Sequence, residues 1–135
     1  MTTSYAIGNN WVTVADQAAG PQSAQLDTLV ITDKSADGTF ALTDANTTWR
    51  HPAADTGGRT WTIPANSVVP FPVGTKLCGH VEQGAGAISL AITTDTLELA
   101  GSAATTGTRT VATGGIFIAT KTSATIWMVG GPGVT

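Results

Sequence analysis

Short runs in which apolar and polar residues alternate recur along most of this chain. In the run 59–63, Trp61 and Ile63 share one face, and the run 88–92 places three apolar residues on one face. A period of two residues is that of a β-strand with one side in a core. Clusters rich in glycine, proline, asparagine and aspartate separate these runs at short intervals. The pattern therefore predicts about ten short strands, including one at 39–43, and no strand–helix–strand unit.

These strands predict an all-β fold, an antiparallel β-sandwich of jelly-roll-like character. The best helix candidate, 16–26, is interrupted by Gly20 and Pro21, so we expect a loop there. Residues 1–26 are accordingly predicted as an N-terminal arm and loop, and residues 27–135 as the β-sandwich domain. Such an arm can add to the sheet of a neighbouring subunit, because edge strands carry unpaired backbone groups.

Charged residues are scarce in this chain, and this favours some classes of function over others. They make up 11% of the chain, and the net charge is −3. Soluble domains carry about 25% charged residues, so much of this surface must be threonine, serine, asparagine, glycine and alanine. A surface of this kind is poorly protected from association and suits a protein that works inside an assembly. No basic run is present to attract phosphates, so we expect no nucleic-acid partner.

The ends and the single cysteine add a few expectations. The N-terminal residues show no basic segment followed by an apolar stretch, so we expect no signal peptide, and no run is long enough to predict a membrane span. Cys78 is the one cysteine, so no disulfide can form within the chain. We therefore expect synthesis and assembly in a cytoplasm.

The stretch 60–75, TWTIPANSVVPFPVGT, resembles a signature of phage structural proteins. Gln83-Gly84-Ala85-Gly86, the alternating run 88–92 and the segment 125–131 fit the same pattern. The chain thus resembles, over about residues 38–131, the small β-domain of tail-fibre and other virion proteins of tailed phages. In this motif Asn66 can bond its own backbone and hold a turn.

The resemblance implies a structural role in the virion, commonly as a multimer. The implied partners are further copies of the chain and the major capsid protein or other virion proteins. The chain begins with Met and has no shaft-like segment, which favours a capsid cement or decoration protein that bridges capsid subunits. The alternative is a tail-fibre or tail-tip component involved in host receptor binding. No cofactor, membrane or small-molecule substrate is implied.

Candidate catalytic or metal-binding groups are few. His51 lies near Asp55 in sequence, while Cys78, His80 and Glu82 alternate and therefore share one strand face. A metal site needs three or four convergent ligands, and no second ligand pair is apparent. We interpret the second group as a polar or interface face of an edge strand, and Cys78 as an inert, partly buried thiol.

Enzyme signatures are also absent from the sequence. No Gly-x-Ser-x-Gly motif is present for a serine nucleophile. Asp95 and Glu98 lie close together but lack the second acidic cluster of a carboxylate-pair glycosidase. A carbohydrate-active enzyme, the remaining rival, would need acidic residues along a groove. The sequence therefore predicts a non-enzymatic protein without catalytic or metal-binding residues.

The four tryptophans are candidates for packing or contacts. Trp61 and Trp127 lie in apolar strands and are predicted core residues, since tryptophan buries a large area. Trp11 and Trp49 lie in more polar settings and suit subunit contacts; a sugar-binding platform is the alternative. The predicted subunit or capsid contacts, taken from the arm, Trp49 and the proline-rich edge, are Tyr5, Ile7, Trp11, Val12, Trp49, Val69 and Phe71.

Overall fold

The computed structural model describes residues 29–103 and 106–135. Within these ranges ten strands follow one another, with a single 3-10 turn at Leu42–Asp44 as the helical element. The strands are β1 Ile31–Asp33, β2 Gly38–Thr39, β3 Thr48–His51, β4 Arg59–Ile63, β5 Lys76–Val81, β6 Ile88–Ile92, β7 Thr96–Leu99, β8 Arg109–Val111, β9 Ile116–Ser123 and β10 Ile126–Gly130.

The strands form two sheets packed face to face. One has six strands in the order β1-β3-β5-β9-β10-β7, and the other has four in the order β2-β4-β6-β8. The predicted all-β sandwich of about ten strands is therefore confirmed. No helix among the described residues has the length and apolar character needed to cross a membrane.

Strand direction differs from the expected antiparallel, jelly-roll-like arrangement. Of the eight strand pairs in the described part of the chain, five are parallel: β1–β3, β3–β5, β2–β4, β4–β6 and β10–β7. The reason is the path of the chain, which crosses from one sheet to the other after each of β1 to β6. From β1 to β6 each strand therefore returns to its own sheet beside the previous strand of that sheet and in the same direction, whereas β7 pairs with β10 and β8 runs antiparallel to β6. This winding is that of a short β-solenoid with two sheets.

The coils of this solenoid are unequal in length. Ile31 pairs with Thr48, 17 residues later, whereas Thr48 pairs with Cys78, 30 residues later. In the other sheet the corresponding steps are 23 and 29 residues, from Gly38 to Trp61 and from Trp61 to Leu90. The connections between strands differ in length from one coil to the next. The sequence therefore shows no repeat of fixed period.

The outermost strands at the two ends of the solenoid differ in how they are covered. At β8 the last residues of the chain form an additional pairing, in which Thr110 and Thr135 exchange two backbone hydrogen bonds of 3.0 Å. At the opposite end β1 is exposed along its whole length. Its Thr32 stands in register with the buried Trp49, yet no described residue covers it.

Aromatic residues fill the space between the sheets. The Trp49 and Trp61 rings meet edge to face at 5.3 Å, and Phe40 stacks on Trp49 at 4.0 Å. Trp61 and Trp127 are fully buried, so the prediction that both are core residues is confirmed. Aromatic pairs in these geometries add stability beyond the area that they bury.

Candidate interaction surface

The outward side of the six-stranded sheet carries an exposed apolar stripe. Strand registers place Ile31, Thr48, Cys78 and Ile118 in one row across the sheet. Ile116 and Met128 stand in the rows on either side. We call this surface the outer face and define it by Ile31, Cys78, Ile116, Ile118 and Met128.

The apolar side chains of the outer face are well exposed to solvent. Exposed fractions are 56% for Ile31, 49% for Ile116, 47% for Ile118 and 42% for Met128. Single exposed apolar residues need no explanation, but a contiguous group marks an interaction surface. A pleated sheet also presents a nearly flat surface that another sheet can cover closely.

Charged residues border this stripe on both sides. In one row Arg50 binds Asp33 through two hydrogen bonds of 2.7 and 2.8 Å, with His80 next in register. The row on the other side runs across four strands in the order Lys76, Thr120, Met128 and Glu98. Its two charged residues therefore lie at its two ends. An apolar centre with a polar rim is the usual organisation of a protein interface.

β5 was predicted to be an edge strand, but it lies inside the six-stranded sheet, between β3 and β9. Its alternation was predicted correctly: Leu77, Gly79 and Val81 face the core, and Cys78 and His80 face outward and are half-buried. Cys78 is partly buried as expected, and this burial raises the pKa of its thiol.

The sequence reasoning missed Ile116, Ile118 and Met128 as surface residues. A signal was present, because the consecutive apolar residues Ile116, Phe117 and Ile118 must point alternately to opposite faces of a strand. Since Phe117 is fully buried, its two neighbours face outward. A strand with one side in the core needs apolar residues on that side only. An uninterrupted apolar run therefore indicates that the outward side of the strand also contacts something apolar.

The predicted contact residues have different outcomes. Trp49 is buried under Phe40, and its Nε1 donates a hydrogen bond to Asp44 Oδ1 at 3.1 Å. Phe71 is buried against Trp127, with ring centroids 5.6 Å apart. The prediction of a surface role for these two side chains was wrong, because both segments turn inward to fill the core.

The other predicted contact residues have a different outcome. Val69 is half-buried and packs on the core. Tyr5, Ile7, Trp11 and Val12, with the predicted arm 1–26, lie outside the described residues.

A hydrogen-bonded network, buried at His51 and half-buried at Asp55 and Arg59, joins three segments of the chain. Asp55 accepts a hydrogen bond from His51 Nε2 at 2.9 Å and two from Arg59, from Nε and Nη2, each at 2.8 Å. His51 Nδ1 lies 2.8 Å from the carbonyl oxygen of Gly86. Both ring nitrogens thus lie within hydrogen-bonding distance of an oxygen atom. Hydrogen bonds from Arg59 and His51 hold the pKa of Asp55 well below its usual range.

This network has a structural explanation. His51 ends β3, Arg59 begins β4, and Gly86 precedes β6. The network therefore fixes the corner in which the chain crosses from one sheet to the other. No group of three metal-ligating side chains is found among residues 29–103 and 106–135.

A polar cleft lies at the other end of β4. Its volume is about 420 Å³, and it is lined by Asn66, Ser67, Thr94, Asp95, Thr96 and Thr125. Asp95 Oδ2 accepts a hydrogen bond from the backbone N–H of Asn66 at 2.9 Å. Asn66 therefore holds its turn through Asp95 and not through a bond to its own backbone. One carboxylate in the cleft is too few for the paired acids of a glycosidase.

Comparison with known proteins finds no protein that is similar to this chain. No protein-family model, no curated protein and no solved structure matches the chain.

Proposed function

We propose that this protein is a structural component of a tailed-phage particle, and that it acts by packing its outer face against neighbouring subunits. The exposed apolar stripe, with charged rows on both sides, is the observation that carries the proposal. Burial of such a stripe stabilises an assembly in proportion to the apolar area removed from water.

Two sequence features support the same role. The low charge leaves little to keep copies of the chain apart. The TWTIPANSVVPFPVGT stretch resembles the small β-domain of virion proteins, in which the implied role is structural. Within that class we propose a capsid cement or decoration protein that bridges capsid subunits, with the protein itself and the major capsid protein as partners.

Self-association can be tested with charges placed on the outer face. We expect the purified chain to form an oligomer by size-exclusion chromatography with light scattering, and Ile118→Lys to shift it to monomer. Thr110→Lys is the matched control, because it adds the same charge at an exposed position of the four-stranded sheet. An oligomer that survives Ile118→Lys together with Met128→Lys would exclude the outer face as the subunit contact.

Location can be tested on phage particles. Immunogold labelling of purified particles that carry this chain should place the label on the head. Label at the tail end would support the alternative of a tail-fibre or tail-tip component. If mass spectrometry finds the chain in infected cells but not in purified particles, a virion role is excluded.

A further inference from the structure

Lys121 is a lysine whose side chain is buried between the two sheets. Its side chain lies on the inward face of β9 with 1% exposure, and it forms no ion pair with any carboxylate of the described residues. The Trp127 ring centroid lies 5.7 Å from Nζ, and Phe71 is packed on Trp127. An ammonium in such surroundings is costly, because hydrogen bonds and ring contacts replace only part of its hydration.

The side chain of Asn66 is the closest partner of this lysine. Lys121 Nζ donates to Asn66 Oδ1 at 2.6 Å and to the carbonyl oxygen of Phe71 at 2.8 Å. A C=O bond is about 1.23 Å long, so Nζ lies within about 4 Å of the amide carbon, Cγ. Reacting atoms held about 3–3.5 Å apart are in near-attack range.

The amide and the amine are also held in place. Asp95 fixes the backbone of Asn66, and Lys121 is anchored in the long strand β9. Asn66 lines the open cleft, which gives a small leaving group a route to solvent. A nucleophile, a carbonyl and an exit path therefore meet at one place.

From this geometry we propose that Lys121 and Asn66 form an intramolecular isopeptide bond. The amine loses a proton to water in the cleft and attacks Cγ of Asn66, so that a new Nζ–Cγ bond forms. Nζ then gives a second proton to Nδ2, and the Cγ–Nδ2 bond breaks so that the nitrogen leaves as ammonia, which takes up the first released proton to become ammonium. No oxidant or other co-reactant is needed.

The bond would link the turn after β4 to β9, two segments 55 residues apart. Like a disulfide, such a cross-link restricts the unfolded chain and gives greater stabilisation when the loop it closes is longer. Unlike a disulfide, it resists reducing agents, so it can be kept in a reducing cytoplasm.

The test is the intact mass of the purified full-length chain. We expect a mass lower than the sequence mass by one ammonia, and a branched proteolytic fragment that joins the peptides containing Asn66 and Lys121. Lys121→Met should restore the full mass. Lys76→Met is the matched control and should retain the loss, because Lys76 is exposed on the outer face.

Two results would overturn the proposal. An intact mass equal to that of the sequence would show that Lys121 is an ordinary structural ammonium. Ammonia loss that persists in Lys121→Met, without a branched fragment, would show succinimide formation at an asparagine instead. Neither result bears on the outer face, so this inference and the proposed function can fail independently.

Discussion

His51 Nε2 lies 2.9 Å from Asp55 Oδ2, which ties the end of β3 to the corner that leads into β4. The same carboxylate receives the paired hydrogen bonds of Arg59. Because the carboxyl pKa is lowered in the folded chain, ionised Asp55 adds stability above about pH 4, where the unfolded carboxyl is also ionised. That contribution is lost as the pH falls from there toward the folded-state pKa.

We therefore predict that Asp55→Asn lowers the thermal unfolding temperature at pH 7. The difference from wild type should shrink as the pH is lowered from about 5 to about 2, since the wild-type carboxyl is then progressively protonated. Thermal unfolding followed by circular dichroism over this range measures it. Asp33→Asn is the control: its ion pair with Arg50 has similar geometry but lies on the surface, so only a small effect is expected. A difference that stays constant over the whole range would contradict the prediction.

Gly79 permits the close packing of two aromatic rings. A Cβ at this position would collide with the Phe117 ring and come within 2.9 Å of Trp61. We predict that Gly79→Ala lowers the free energy of unfolding by about 1–3 kcal/mol, the usual cost of overpacking a core. Urea denaturation measures this. Gly58→Ala serves as the control, because the nearest atom to its added Cβ lies at 3.4 Å; equal losses for the two variants would contradict this explanation.

The buried tryptophans differ in the state of the indole N–H. Trp49 Nε1 donates to Asp44, whereas Trp61 Nε1 is buried and has no hydrogen-bond partner in the described part of the chain. We predict that Trp49→Phe destabilises the fold by about 1 kcal/mol more than Trp61→Phe, because only the first loses a hydrogen bond. Both substitutions remove the same atoms, so each is the control for the other in denaturant titrations. The opposite ranking would show that ring packing outweighs the hydrogen bond.

Cys78 reports on the outer face. The raised pKa of its thiol lowers the thiolate fraction at a given pH, and the thiolate is the reactive form. We predict slower maleimide labelling in the native chain than in denaturant, with a rate that increases as the pH rises. If the outer face is covered in an oligomer, Ile118→Lys should accelerate labelling of the native chain. Equal rates for the native and denatured chains would contradict burial of the thiol.

The sequence predicted strand positions well. The predicted runs 59–63 and 88–92 coincide with β4 and β6, because alternation requires only that one side of each strand be buried. The predicted strand at 39–43 was wrong beyond Thr39. There the Asp44 carboxylate accepts the Ala41 N–H at 2.7 Å and favours a 3-10 turn at Leu42–Asp44.

Strand direction could not be predicted in the same way. Parallel and antiparallel strands share one side-chain period, so alternation carries no information on which strands are neighbours. The path from Ile31 to Thr48 to Cys78 becomes visible only in the registers. The outer face was missed for a related reason: Ile118 and Met128 belong to one surface only because β9 and β10 are adjacent.

Because the coils differ in length, the fold should tolerate peptides inserted into the connections between its strands. Since steps of 17 and 30 residues both keep the ladder in register, a longer connection changes neither the pairing nor the core. The exposed corner at Ser35 and Ala36, between β1 and β2, is an insertion point of this kind. The entropy of closing a loop grows slowly with length, so an epitope grafted there would be displayed while the sheets keep their registers.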